Sequence, residues 1–395
     1  MVTKTPPMGW NSWNTFAENI NEKLIMDSAD AMVESGLKEL GYEYIVIDDI
    51  WAKKERDENG KLVPDPEKFP NGMKYVADYV HSKGLKFGMY SSAGYLTCAG
   101  YPASYGNEWV DAETFAEWGV DFLKYDFCFH PQSVDSDVIY KRMGLALANC
   151  GRDILFSACS WGSDNTRNWI KECGAGMWRS TGDIFDGWQS VKSIGLSQIP
   201  LQDYNGQGCF NDMDMLVVGM HGKGNVGLTG CSFEEYKTHF SLWALLGSPL
   251  MIGCDIRDMD DETKTILMNK EIIKINQDPA ARQPFILNME RDIKQNRLPG
   301  DGIYENYNLD NPAIAKFLDN GDIAIGFFNF TDDVVTRPGY SLYIDKLGLS
   351  EDTGKTLELY DLWSGEKVTL TSNMPILEDL APHACRMFRA KVVDR

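Results

Sequence analysis

From the N-terminus to about residue 280, short apolar runs rich in β-branched and aromatic residues alternate with stretches whose apolar residues recur every three or four positions. The first kind predicts buried parallel strands and the second predicts amphipathic helices. Strand-like runs fall at 8–13 (MGWNSW), 42–49 (YEYIVIDD), 85–92 (LKFGMYSS), 122–127 (FLKYDF), 154–161 (ILFSACSW), 176–183 (GMWRSTGD), 213–219 (MDMLVVG) and 249–255 (PLMIGCD). Helical stretches between them include KLIMDSADAMVESG, GMKYVADYVHSKG, DSDVIYKRMGLALANCG and SFEEYKTHFSLWALLG. The last opens with Ser232 and Glu235, three apart, as a capping box requires. Eight strand and helix repeats predict an α/β fold closed as a (β/α)8 TIM barrel.

After NQDPAARQP the pattern changes to short alternating runs such as AIGFFNF, LELYDLW and EKVTLTS, separated by turn residues. This predicts a C-terminal antiparallel β-sandwich domain. The boundary falls near 285, giving a catalytic barrel over 1–285 and a β domain over 286–395. The β domain carries no cluster of reactive residues, so its expected roles are packing on the barrel and subunit contacts in a homo-oligomer.

Composition narrows the partners. The 395 residues carry 58 acidic and 38 basic side chains, a formal net charge of -20 that would repel a phosphate backbone, so nucleic acid is not expected. The opening MVTKTPPMGWNSW lacks the apolar core of a secretion signal and no run of about 18 apolar residues occurs, so no membrane partner and a cytoplasmic location are expected, with secretion the alternative if an upstream signal is removed. Nine cysteines without a repeating spacing describe neither a disulfide scaffold nor a zinc site.

In a barrel of this kind the active site lies at the C-terminal ends of the strands. Nearly every predicted strand ends in a polar or aromatic residue there: Trp13, Asp48 and Asp49, Tyr90, Lys124 and Asp126, Ser160 and Trp161, Arg179 and Asp183, and Asp214. A lone carboxylate beginning a loop is usually a helix cap or a surface charge. Five acids and two bases converging on one mouth are not, because desolvated charges need partners.

Two aspartates at the tips of different strands suit glycoside cleavage, in which one carboxylate attacks the anomeric carbon and the other protonates the leaving oxygen. Lys124 and Asp126 lie two apart, so the strand period aims both the same way. The cation would lower the Asp126 pKa and keep it ionised for attack. Asp183, in the loop-entering TGDIFDGW, would have its pKa raised by a less polar wall for acid work. Trp10, Trp13, Trp51 and Trp161 offer indole faces for a pyranose, against the plain reading that they are core.

With DDIW upstream of KYDFC and RSTGD downstream, the sequence resembles the α-galactosidases and α-N-acetylgalactosaminidases of glycoside hydrolase family 27. The motifs PPMGWNSWNTF, YSSAGYLTCAGYP, LKYDFC, NDMDML and NQDP follow in order over most of the chain. The resemblance implies a retaining exo-glycosidase acting by double displacement on terminal α-D-galactosyl residues of oligosaccharides or glycoconjugates. It places Asp126 as nucleophile and Asp183 as acid/base, roughly 5 Å apart. It implies that Asp48 and Asp49 take the galactose O4 and O6 hydroxyls, that Lys124 lies near O3 and O4, and that Trp13 stacks on the ring. Tyr90, Arg179, Asp214 and Met215 match other sugar-lining positions, and Cys98 and Cys128 match a disulfide beside the sugar. No cofactor or metal is implied.

The fifth strand departs from the family pattern. Many α-galactosidases read Cys-Glu-Trp there, the glutamate meeting O2, whereas this chain reads Cys159, Ser160, Trp161, Gly162, Ser163. Ser160 and Ser163 would open room for an acetamido group, so α-N-acetylgalactosaminidase is the alternative; Asp164, where the animal enzymes carry an aromatic, speaks against it. A β-L-arabinopyranoside substrate is disfavoured because Asp48 would lack its O6 partner.

Other readings are weaker. GKGNVG at 222–227 fits a dinucleotide loop, but Leu-Thr-Gly-Cys follows before any helix begins. Lys124 as a Schiff-base lysine would need a lowered pKa, which Asp126 opposes. Asp212, Asp214 and Asp255 lack calcium-loop spacing. A non-catalytic sugar-binding protein would not need both Asp126 and Asp183. The polar loop at 52–70 is expected to overhang the site and shape what binds beyond galactose.

Overall fold

The computed structural model describes residues 3–287, 310–336, 344–370 and 379–395. Among these, one sheet contains eight parallel strands: β1 (Met8–Asn11), β2 (Tyr44–Val46), β3 (Lys86–Ser92), β4 (Phe122–Asp126), β5 (Leu155–Cys159), β6 (Met177–Arg179), β7 (Phe210–Asp212) and β8 (Leu250–Ile252). Each strand pairs with the next through β7, and β8 pairs with β1. A single parallel bridge, Leu216 to Ile252, closes the ring between β7 and β8. The sheet is the predicted barrel.

Helices α1 (Glu22–Glu34), α2 (Gly72–Ser82), α3 (Glu108–Trp118), α4 (Ser136–Asn149), α5 (Trp188–Gln198) and α6 (Phe233–Leu246) connect the strands. Between β5 and β6 the crossover is made by 3-10 turns at Ser163–Asn168 and Ile170–Cys173. The capping box at α6 forms: Glu235 N–H donates to Ser232 Oγ and Ser232 N–H donates to Glu235 Oε2. Helix α6 is buried along most of its length because it lies between the barrel and the second sheet.

Strand alternation sorts the two sides of the barrel wall. Tyr44, Val46, Phe122, Leu155, Met177, Phe210 and Met251 fill the interior in one cluster. Their neighbours Ile45, Leu123, Tyr125, Phe156 and Trp178 face the helices in another. Two residues beyond the interior side chains come Asp48, Lys124, Ser157, Arg179 and Asp212. The period of two therefore lifts polar groups onto the rim above an apolar plug.

Several strand expectations need correction. Strands one, two, six and eight stop short of 13, 49, 183 and 255, and Trp13 begins a single helical turn, Trp13–Phe16. The seventh strand lies at 210–212, before MDMLVVG rather than within it. Asp214 has φ 77°, a left-handed conformation that turns the chain out of the extended path. Its amide donates to Asp212 Oδ1, and the Met215 amide donates to Asp214 Oδ1, so side chains hold the turn.

The C-terminal region forms a six-stranded antiparallel sheet: β9 (Phe285–Ile286), β10 (Ala313–Phe317), β11 (Ile323–Phe328), β12 (Lys355–Asp361), β13 (Lys367–Thr369) and β14 (Cys385–Asp394). Its order is β9-β10-β11-β14-β12-β13. Helices α7 (Asp261–Leu267) and α8 (Lys270–Asn276) lead into it. It packs on the barrel as expected: Trp363 Nε1 donates to Ser241 Oγ, Asn269 Nδ2 to the Leu362 carbonyl and Thr238 Oγ1 to the His383 carbonyl.

Gly88 on β3 faces the interior where β2 and β4 crowd it. A Cβ there would lie 2.7 Å from Val46 Cγ2 and 3.2 Å from Phe122 Cβ. Gly88→Ala should overpack the plug and lower stability by about 1–3 kcal/mol, read as a lower urea midpoint at unchanged slope; an unchanged midpoint would show that the plug yields.

Candidate active site

The rim residues enclose a crevice of about 430 Å³ lined by Trp13, Asn14, Asp48, Asp49, Tyr90, Cys98, Lys124, Asp126, Arg179, Asp183, Asp214, Met215 and Val226. Of the sequence-predicted residues, Cys128, Ser160 and Ser163 are outside this lining, as are Trp10, Trp51 and Trp161. Cys128 forms the disulfide with Cys98, and sulfur atoms of both lie within 4.8 Å of an Asp126 carboxyl oxygen. These three are the one group of possible metal ligands found among the described residues, and the disulfide removes the thiols from that role.

Asp126 ends β4 on the interior side of the strand. Its Oδ2 accepts from Tyr90 Oη at 3.0 Å and its Oδ1 from the Phe127 amide at 2.9 Å. Burial pushes the Asp126 carboxyl up, and Lys124 and the Phe127 amide, which pull it down, do not cancel that push. The expected net lowering by Lys124 is therefore corrected: the cation acts in the predicted direction but is outweighed. Its ammonium contacts Asp48 Oδ2 at 2.8 Å. Burial works against that ammonium and Asp48 overcomes it, so Lys124 titrates above the usual lysine range.

Asp48 Oδ2 also accepts from Asn11 Nδ2, and Oδ1 from the Asp49 amide. Asp49 accepts from the Ile50 and Ala99 amides, and burial raises its pKa. Both Asp48 oxygens are occupied inside the protein. A substrate without O6 would thus leave no orphan carboxylate, and that argument against an arabinopyranoside falls.

Arg179, at the end of β6, is buried between two acids. Its Nη2 lies 2.7 Å from Asp183 Oδ1 and 2.9 Å from Asp214 Oδ2. Asp214 Oδ2 also accepts from the Ile184 amide, tying the loops after β6 and β7 together. Burial works to raise the Asp183 pKa, and Arg179 and Lys124 outweigh it, so the carboxyl sits below its usual range. The expected upward shift is corrected. Asp183 stands at the mouth with 62% of its side chain exposed, and the apolar wall that was to raise its pKa is a guanidinium. Beneath the crevice, burial pushes Asp212 up to about 6.

Ser160 is fully buried and its hydroxyl hydrogen-bonds Thr166 Oγ1 at 2.6 Å; Thr166 in turn donates to the Ser163 carbonyl. The Ser160 hydroxyl is thus spent on the turn after β5, Ser163 joins that turn through its carbonyl, and neither residue lines the crevice. Trp10 donates to the Cys254 carbonyl in the core and Trp51 to the Tyr90 carbonyl, so Trp13 alone of the four tryptophans lines the crevice. The loop at 52–70 does not line it either. Arg56 binds Asp111 and the Ala103 carbonyl, which folds the loop down against α3 and the loop after β3. Asp255 pairs with Arg257 and is absent from the site.

Three participants escaped the sequence reading. Asn11 holds Asp48, and its signal was a polar residue inside a buried strand. Asn14 and Val226 line the crevice, and the Asn14 carbonyl accepts from the Asn225 and Val226 amides, so the glycine-rich loop rejected as a phosphate cradle forms part of the wall. Asn14 Nδ2 and Arg179 Nε are buried donors with no partner among the described residues. A crevice lined by carboxylate acceptors, an ammonium, a guanidinium and one indole matches a polyhydroxylated ring.

A family model described as Alpha galactosidase A matches residues 5–278, and one described as Alpha galactosidase C-terminal beta sandwich domain matches 312–390. The chain belongs to the α-galactosidase family. It is 42% identical to an alpha-galactosidase of Cyamopsis tetragonoloba over 386 residues, 98% of this chain and 86% of that one. Alpha-galactosidase I from Mortierella vinacea superposes with a TM-score of 0.85 at 33% identity, covering 98% of this chain and 97% of that chain. The alfa-galactosidase from Saccharomyces cerevisiae with raffinose gives 0.78 at 31% identity, over 99% of this chain and 98% of that chain. This α-galactosidase-family chain is a glycoside hydrolase that removes terminal α-galactosyl residues.

Tyr90→Phe removes a donor to the Asp126 carboxylate, which should raise that pKa further. The acid limb of the kcat/KM profile should move to higher pH by roughly one unit; an unmoved limb would mean that Tyr90 does not stabilise the charged form.

Proposed function

We propose that the chain hydrolyses its galactosides with retention, Asp126 attacking the anomeric carbon and Asp183 acting as acid and then base. The observation that carries this reading is the meeting of two carboxylates from separate strand ends in one crevice, one packed against Tyr90 and Lys124 and the other at the mouth. Asp126 then forms the bond to C1 as the C1–O bond breaks, and the Asp183 proton passes to the leaving oxygen. Water next gives its proton to Asp183 and attacks C1, releasing galactose and freeing Asp126.

In the free site the two carboxyls are biased the opposite way from what the first step needs. Galactose seated in the crevice covers Asp183, removing its water, and its hydroxyls compete for the Arg179 donors. Both changes raise the Asp183 pKa. On the other side, Lys124, Tyr90 and the Phe127 amide favour the charged form of Asp126 against its burial. Asp48, Asp49 and Lys124 remain the proposed partners of O3, O4 and O6, with Trp13 against the apolar face of the ring.

Asp126→Asn should lower kcat by about 10^4-fold or more while galactose still binds, measured by calorimetry beside initial rates. Asp183→Asn should slow hydrolysis of raffinose by about 10^2 to 10^4-fold but slow an activated aryl α-galactoside far less in the glycosylation step, because a good leaving group needs little acid help. Equal losses on both substrates would contradict the acid assignment. On paired aryl substrates the α-galactoside should turn over faster than the α-N-acetylgalactosaminide, since Ser160 is closed off by Thr166.

A further inference from the structure

We propose that Phe185 and Leu228 form a ledge that holds the first sugar of the leaving group. The proposal rests on Asp183 being the acid, because the atom it protonates is the oxygen joining galactose to that sugar. The leaving sugar must therefore lie just outside Asp183 and not on the Asp126 side.

The segment after Asp183 is built as a wall there. Asp183 and Phe185 are exposed while Ile184 between them is buried, so the two exposed side chains leave the same side of the chain. The Ile184 amide is fixed by Asp214 Oδ2 at 2.7 Å and the Phe185 amide by Ser190 Oγ at 2.9 Å. Asp186–Gly187 then pairs with Gly227–Gly230 in a two-stranded parallel ribbon. Buried Asp186 locks the ribbon by accepting from Tyr236 Oη and the Gly222 amide.

The partner strand comes from the glycine-rich loop. Gly222, Gly224 and Gly230 have left-handed φ values, and a Cβ on Gly227 would lie 2.4 Å from the Gly222 carbonyl oxygen. Only glycine permits this fold-back, which sets Val226 into the crevice wall and Leu228 outside it. A Cβ on Gly187 would contact Leu228 Cβ at 3.8 Å, so Leu228 sits across the ribbon from the Asp186–Gly187 strand. Phe185 is 43% exposed and Leu228 60% exposed.

The segment leading into each strand of the ribbon thus carries one residue that lines the crevice, Asp183 or Val226, and two positions further on comes an exposed apolar side chain, Phe185 or Leu228. An apolar edge on a pinned backbone next to the acid fits the apolar face of a pyranose or furanose ring. Binding energy gained there acts on the transition state as the bond to that ring breaks.

The test compares kcat/KM on raffinose and on methyl α-galactoside for the intact chain, Phe185→Ser, Leu228→Ser and Phe185→Trp. Both substrates expel an alkoxide and need the same acid help, but only raffinose reaches the ledge. Each serine variant should lose about tenfold on raffinose and stay within twofold on the methyl glycoside, and Phe185→Trp should retain raffinose activity. Equal losses on both substrates would assign the residues to support of Asp183 and overturn the ledge. No loss on raffinose in either serine variant would also overturn it. An intact chain inert to both substrates would overturn the proposed function itself.

Discussion

The mouth of the barrel depends on the ion pair between Lys124 and Asp48, 2.8 Å apart and largely shut off from water. Taking either charge out of water is unfavourable by several kcal/mol, and removing one partner alone would leave the other stranded, a change of about 3–5 kcal/mol. The pair also joins β4 to the end of β2, and Asn11 of β1 braces the same carboxylate. Arg179 does the corresponding job opposite, binding Asp214 and Asp183. Two buried cations thus organise the rim acids, and the apolar plug below keeps water from relaxing the arrangement.

This charge layout explains why burial and neighbour charges act so differently on the two central carboxyls. Asp126 is enclosed, so desolvation outweighs the cation beside it. Asp183 keeps contact with water, and a direct guanidinium contact decides its charge. On the proposed assignment, substrate binding would exchange these conditions, a sugar bringing new hydrogen bonds to the first and covering the second.

Much of this was legible in the chain because a period of two has consequences on both sides of a barrel wall. Tyr44, Val46 and Asp48 lie on one face, as do Phe122, Lys124 and Asp126, so these mouth residues could be read from alternation, while Trp13, Asp49, Asp183 and Asp214 lie past the strand ends. Partners could not. That Lys124 meets Asp48 from another strand, and that Ser160 turns toward Thr166, depend on packing across the ring. The seventh strand was misplaced because the turn at Asp214 is made by aspartate side chains bonding to amides, with neither glycine nor proline to mark it. Helix α3 stood out poorly because buried Glu108 and Asp111 interrupt its apolar face, each matched by an arginine from elsewhere, Arg142 and Arg56.

The stereochemistry of the first product tests the central claim most directly. Proton NMR during the opening minutes of hydrolysis, before mutarotation, distinguishes α- from β-galactose. Double displacement through Asp126 predicts that α-galactose appears first and the β-anomer grows in only as mutarotation proceeds. Initial release of β-galactose would mean a single inversion at the anomeric carbon and would contradict the assignment of Asp126 as nucleophile.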